Sequence, residues 1–328
     1  MILRLLAILT AVLVGTAVGV SALVYWAGRE MDAPGPLAQD QAIVIPSGAG
    51  LSQVTQILSA AGALKHPGVF RIMARLQGQA GKLRAGEYMV PAHASKNEIL
   101  ELLVSGDVIH HRLTLPEGLT SYQVVELLRQ IPNLSGEITE VPEEGSLLPE
   151  TYVYVRGDSR AKLLARMAAA MDKVLQEAWA NRDMSIPLQS PREALTLASI
   201  VEKETAIPEE RPRIAAVFLN RLRLGMRLQS DPTVIYGLTA GQGPLQRRLL
   251  SADLKHDSPY NTYVISGLPQ GPIANPGRDS ILAVTRPIES KELYFVADGT
   301  GGHAFARTLD EHNRNVAKWR RIRKAQGN

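Results

Sequence analysis

The stretch from Leu5 to Ala27, LLAILTAVLVGTAVGVSALVYWA, contains no charged residue. At a rise of about 1.5 Å per residue, an unbroken helix over it crosses a hydrocarbon core of roughly 30 Å. This predicts a membrane-spanning helix at 5–27, with the rest of the chain on one side of it. Tyr25 and Trp26 stand at the far end, where amphipathic rings favour the interface, and Arg29 lies just beyond. Arg4 before the run and Arg29 after it give the positive-inside rule little to choose between. The expectation is a cytoplasmic segment at residues 1–4 and everything after about residue 28 outside. A cleaved signal peptide is the competing reading, because Val20-Ser21-Ala22 is a passable small-residue cleavage site; the length of the apolar run favours the anchor. Both readings put the globular part outside the cytoplasm.

The chain of 328 residues is long enough for one large or two modest globular units. It has no cysteine, so disulfides and thiolate metal sites are excluded. A net charge of +4 suits an acidic polymer or a membrane surface without selecting either. Aromatic residues are 5% of the chain and the one basic cluster is the tail KWRRIRK, Lys318 to Lys324, which argues against nucleic acid as a partner.

Residues 28–41, polar and with two prolines, read as a linker. A strand–turn–helix unit then recurs. Ile43-Val-Ile-Pro-Ser-Gly leads into a capped amphipathic helix from Leu51; Gly86-Glu-Tyr-Met-Val-Pro leads into one after Ser95; Leu113-Thr-Leu-Pro-Glu-Gly leads into one after Thr120. Three unevenly spaced copies are too few for a solenoid and predict small α+β modules. The first two copies, residues 42–107, resemble the LysM-like subdomain of glycan-binding wall proteins. The remainder, 108–328, is read as a larger mixed α/β catalytic domain, so the fold class as a whole is α+β.

Within that domain Ser190 to Thr205, SPREALTLASIVEKET, carries the chemistry. Ser190 caps, Pro191 suits the first helical position and Glu193 completes a capping-box pattern. Ala194, Leu195, Leu197, Ala198, Ile200 and Val201 leave almost no wet face, so the helix is buried. Glu202 and Glu204 stand at its far end and, two residues apart, point roughly 200° from one another. A carboxyl continuing an apolar stripe has its charged form disfavoured and is kept protonated near neutral pH, which is what a general acid needs. A second reading stands beside this one: both glutamates solvated at a fraying helix end, with Lys203 and Arg211 as surface partners.

Around this helix, Ser159 to Asn181 is helical with Leu163, Leu164, Met167 and Met171 as a core stripe, and a further helix follows Pro208 and stops at Gly225. Met226 to Gly237 begins polar around Asp231-Pro232 and turns β-branched. Ser258 to Gly277 reads as an ordered surface loop that shapes a cleft. Glu292 to Ala297 and His303 to Arg307 flank a glycine-rich turn as a hairpin. That turn lacks the lysine and following helix of a phosphate-binding loop, His303 and His312 have no metal-ligand spacing, and no Gly-x-Ser-x-Gly occurs.

The motifs LLPETY (147–152), ASIVEKET (198–205), VFLNRLRLGMRLQSDPTVIYG (217–237), SPYNTYVISGLP (258–269), IANPG (273–277) and YFVADGTGGHAF (294–305) together resemble the endolytic murein transglycosylases of the YceG-like family. The chain has Leu-Pro-Glu-Thr where that family more often has Phe-Pro-Asp-Thr, which leaves the role of Glu150 open. The resemblance implies a lytic cut between N-acetylmuramic acid and N-acetylglucosamine within glycan strands, with Glu204 as the catalytic acid. It implies Gln229, Asp231, Thr233, Asn261 and Tyr263 as substrate-binding candidates, and no metal or organic cofactor. The implied partners are peptidoglycan strands, the bacterial inner membrane and peptidoglycan synthases. Two rivals remain: a muramidase that cuts the same bond with water, using Glu202, Asp231 or Glu150 as a second carboxylate, and a non-catalytic wall-binding scaffold.

Overall fold

The computed structural model describes residues 2–325; Met1, with which the expected cytoplasmic segment begins, and residues 326–328 lie outside the described residues. The fold is mixed α/β and begins with an apolar helix, α1 (Ile2–Asp32), long and apolar enough to cross a membrane. Its side chains from Leu5 to Trp26 are almost all exposed, whereas Met31 near its end is 1% exposed. The chain divides into two compact units: the residues up to His111 with Tyr154–Gly157, and Arg112–Val153 with the chain from Asp158 onward.

In the first unit α1 is followed by β1 (Gln41–Ile45), α2 (Leu51–Ala60), α3 (Pro67–Leu76), β2 (Gly86–Val90) and α4 (Lys96–Ser105). β1 and β2 pair antiparallel, with Ile43 opposite Tyr88. Period-two alternation puts Ile43, Ile45, Tyr88 and Val90 inside and leaves Val44 and Met89 exposed. The helices bury Val54, Leu58, Phe70, Ile99 and Leu103 against this ribbon, each at 1% exposure or less. Each such side chain contributes about 1.5–3 kcal/mol. Only one of the two expected caps forms here. Ser95 and Glu98 make a full capping box on α4, but α2 starts at Gly50 with no side-chain cap.

The linker reading of 28–41 does not survive. Residues 28–32 continue α1, Met31 and Leu37 enter the core, Gly35 N–H donates to His93 O at 3.0 Å, and His93 N–H donates to Leu37 O at 2.9 Å. Polar composition suggested a tether; two apolar side chains at the right places were enough to dock it. Arg156 belongs to the same unit because it donates to buried Glu87, which also bonds His111.

The second unit contains most of β3 (His110–Thr114) and β4 (Thr151–Val155), then α5 (Ser121–Arg129), α6 (Arg160–Ala180), α7 (Pro191–Glu204), α8 (Arg211–Arg223), α9 (Asp231–Thr239) and α10 (Arg278–Thr285). The hairpin β5 (Tyr294–Ala297) and β6 (His303–Ala306) and the helix α11 (Leu309–Ala325) complete it. Its core is α7 wrapped by α6, α8 and α10: Ala194 to Val201 are all buried, with Ile214, Phe218, Ile281 and Val284 against them. The hairpin joins through Phe295, edge-on to Phe218 at 5.7 Å. Met167 and Met171 are buried, as their helical spacing implies.

The β-branched run in 226–237 is helical from Asp231, with Pro232 in the first turn and Thr233 and Val234 buried, and one sequence expectation changes here. The 258–277 loop is only partly a surface feature: Gly271 to Gly277 are buried, and Asn275 pins them by donating to Leu119 O from Nδ2 and accepting from Leu147 N–H.

Candidate active site around Glu204

Ser190 Oγ accepts from Glu193 N–H at 3.2 Å, with Pro191 at the first helical position. Glu193 reaches back to Gln189 N–H instead of Ser190, a variant of the expected box. Burial of every residue from Ala194 to Val201 fixes the helix rotationally, and this decides where its two terminal glutamates go. Thr205 then leaves the helix with extended dihedrals, φ −142° and ψ 138°, so Glu204 is the last helical residue.

Glu202 is turned inward, its side chain 5% exposed. It accepts from Arg211 at 3.1 Å, Gly277 N–H at 2.9 Å and Ser280 Oγ at 2.8 Å. Arg211 also donates to Glu117 at 2.6 Å. A buried carboxylate with three donors, one of them a guanidinium, is satisfied and immobile. The reading of both glutamates as solvated at a frayed end is therefore corrected: Arg211 is a buried partner of Glu202, not a surface one.

Glu204 keeps a partial opening to solvent while its carboxyl is densely surrounded by protein. Burial pushes its pKa up to about 7 and the neighbouring Asp231 charge adds to the rise; the Ser230 hydrogen bond, His303 and Arg221 oppose it. Ser230 Oγ donates to Glu204 Oε1. At neutral pH this carboxyl is poised between acid and base, the condition for delivering a proton and later recovering one.

The 226–237 and 258–269 motifs meet here. Gln229 adopts a left-handed φ of 53°, a conformation that costs a non-glycine residue about 1 kcal/mol or more. Its N–H donates to Thr262 O at 3.2 Å, and its side chain is exposed. That turn delivers Ser230 to Glu204 and starts α9 at Asp231. Asp231, also exposed, accepts from Tyr263 OH at 2.7 Å, and burial with this bond raises the Tyr263 phenol pKa. Thr233 and Asn261 are fully buried. Thr233 Oγ1 donates to Ser230 O at 2.6 Å and lies 2.8 Å from Thr262 Oγ1; Asn261 Nδ2 donates to His256 O at 2.7 Å and its Oδ1 accepts from Tyr263 N–H at 3.0 Å. Both side chains are committed inside the protein, framing Ser230 and Tyr263 instead of facing a ligand. Glu150 is exposed, and its carbonyl accepts from Leu115 N–H at 2.9 Å.

Ser230 was not picked out from the sequence, although its place before Asp231-Pro232 marks it as the residue that enters a helix. The second omission is Glu210. It accepts from His303 Nδ1 at 2.7 Å, His303 N–H at 2.8 Å and Thr205 Oγ1 at 3.1 Å, tying the hairpin to the residue after Glu204. Burial works against its charge, but these bonds hold its carboxyl below the usual range. Arg221, 8% exposed, is fixed by Leu228 O and Leu293 O, both at 2.7 Å, and places a buried positive charge near Glu204. Among the described residues no three His, Asp or Glu side chains converge as a metal-ligand set.

The sequence profile described as the YceG-like family matches residues 43–318. A Bacillus subtilis (strain 168) protein named endolytic murein transglycosylase is 30% identical, over 84% of this chain and 84% of its own length. A Streptococcus pneumoniae serotype 2 protein of the same name is 30% identical over 84% of this chain, which spans 57% of that longer protein. The crystal structure of a putative yceG-like protein from Listeria monocytogenes superposes with a TM-score of 0.53 at 29% identity, covering 84% of this chain and 98% of that one.

Proposed function

The chain belongs to the YceG-like family, and from that membership we propose that it is a peptidoglycan lytic transglycosylase with Glu204 as its single acid and base. The observation that carries the catalytic assignment is the Glu204 carboxyl, raised to a pKa of about 7 at the end of a buried helix and hydrogen-bonded to Ser230. Glu204 protonates the glycosidic oxygen between N-acetylmuramic acid and N-acetylglucosamine. The resulting carboxylate takes the proton of the muramoyl 6-hydroxyl as that oxygen attacks C1, closing a 1,6-anhydro ring. No water is consumed, and the internal nucleophile has the advantage of proximity. Arg221 and His303 favour the carboxylate once the proton has left. Gln229 and Asp231, exposed beside Glu204, contact the sugars; Tyr263 orients Asp231, while Thr233 and Asn261 hold the frame.

One observation favours a second reading. Asp231 lies near enough to raise the Glu204 pKa, and a second carboxylate is what hydrolysis with water requires. The full chain acting on purified glycan strands separates the two: anhydro ends are lighter than reducing ends by one water. Reducing ends alone replace the lytic reading with a muramidase, and no cleavage leaves a wall-binding scaffold.

The wider proposal places α1 as a single-pass anchor in the bacterial inner membrane, with the catalytic domain on the extracytoplasmic side near peptidoglycan synthases. Residues 42–107 serve as a LysM-like glycan-binding subdomain, a reading supported by the β1–α2–α3–β2 order with its strands paired antiparallel.

A further inference from the structure

A cavity of about 390 Å³ opens beside the last turn of α7, with Lys203, Pro232 and Arg247 in its walls. Two of its wall residues are chain neighbours of the Glu204 site: Lys203 precedes Glu204, and Pro232 follows Asp231. Its two cations differ. Arg247 is answered by a two-pronged pair to Asp253, at 2.6 and 2.8 Å. Lys203 Nζ donates to Gly118 O at 3.1 Å and, among the described residues, makes no ion pair. An ammonium has three donors, so this one retains capacity for an anion. Ile235, Leu245 and Ile273 make much of the remaining wall apolar. Behind Tyr236, Glu144 accepts from its hydroxyl at 3.1 Å, and burial raises this carboxyl's pKa.

A ligand suited to these walls combines a carboxylate with small apolar groups and is attached to whatever occupies the Glu204 site. On a murein strand the sugar rings and N-acetyl groups are neutral, and the carboxylates sit on the lactyl-linked peptide stems of the muramoyl residues. Resting on the transglycosylase reading, we infer that this cavity takes the stem of the muramoyl residue whose bond meets Glu204, with a stem carboxylate on Lys203 and its methyl groups on Ile235, Leu245 and Ile273. The stem is thereby a specificity determinant: strands carrying uncross-linked stems are better substrates than bare strands.

The test compares kcat/KM of the full chain on strands with uncross-linked stems and on the same strands stripped by an amidase. The amidase leaves a lactyl carboxylate at the ring and removes the carboxylates and methyl groups farther along the stem, so the expected ratio is about tenfold in favour of stems, the size that one charge-assisted hydrogen bond made by the stem itself supports. Lys203→Met removes the cation and Thr239→Trp fills the cavity lining; each brings the ratio toward one. The ratio is internal to each variant, so a general loss of activity does not imitate the effect. Binding to the wild-type chain supplies a measurement independent of any variant: N-acetylmuramoyl-pentapeptide binds about tenfold tighter than N-acetylmuramic acid. Equal cutting of both strands, equal binding of both probes, or a ratio unchanged in both variants overturns the stem site and leaves the transglycosylase reading standing. Failure to cut either strand removes that reading and the stem site with it.

Discussion

Ser230 donates a hydrogen bond from its hydroxyl to Glu204, joining two residues 26 positions apart at the C-terminal end of a buried helix. The bond fixes one carboxyl oxygen as acceptor and leaves the other to carry a transferable proton. It also sets a limit on how far burial raises the Glu204 pKa, because the ionised form accepts the stronger bond.

Replacing the two glutamates of α7 separates their roles. Glu204→Gln keeps size and polarity but has no proton to give, so anhydro-product formation falls by at least about 10²–10⁴-fold with the circular dichroism spectrum intact. Glu202→Gln removes the buried one of the carboxylates that Arg211 pairs with, Glu117 remaining, and costs about 2 kcal/mol, read as a lower denaturant midpoint, with residual turnover retained. The reverse pattern, an active Glu204→Gln and an inactive folded Glu202→Gln, identifies the other carboxylate as the acid.

Removing the hydroxyl in Ser230→Ala eliminates a donor that lowers the Glu204 pKa. The alkaline limb of the kcat/KM profile, which falls near pH 7 in the wild type as the acid is lost, moves to higher pH, and kcat drops by about tenfold through lost orientation. A profile with its limb unmoved disproves the coupling.

Glu204 also leaves a signature in stability. Its pKa rises from the ordinary 4.5 to about 7 on folding, so the native state holds the proton more tightly. Its effect is nil below pH 4.5 and grows into a cost as pH climbs through 7. Glu204→Gln therefore raises Tm at pH 8 by more than at pH 5, the gain at pH 8 reaching at most about 3 kcal/mol because the residue is partly open to solvent. Equal shifts at the two pH values count against a raised pKa.

Protease added to spheroplasts degrades the large domain if α1 is the anchor proposed. Full protection places the domain in the cytoplasm, and a mature chain beginning near Leu23 identifies a cleaved signal.

Deleting residues 42–107 while retaining the anchor weakens binding to glycan strands yet preserves cleavage at high substrate concentration. A folded deletion protein that binds strands as tightly as the full chain rules out the glycan-binding role.

Local patterns in the sequence determined much of this. The uncharged run at 5–27 appears as the apolar helix α1, Ser190 and Pro191 start α7, and the unbroken apolar content of Ala194 to Val201 buries it. The 200° offset between Glu202 and Glu204 needs only helical geometry. These features are readable because each depends on neighbours within a few residues. Tertiary structure decided which glutamate is locked and which is poised: Arg211, Gly277 and Ser280 converge on one, Ser230 on the other, from segments up to 78 positions away. It turned Thr233 and Asn261 inward, because a loop at Ser258–Gly277 and the turn at Gln229 satisfy each other's polar groups before any ligand arrives. It also drew residues 28–41 onto the first unit, since Met31 and Leu37 gain more from the core than a polar tether gains from water. Burial and partner choice depend on where distant segments meet, and no short window of sequence contains that information.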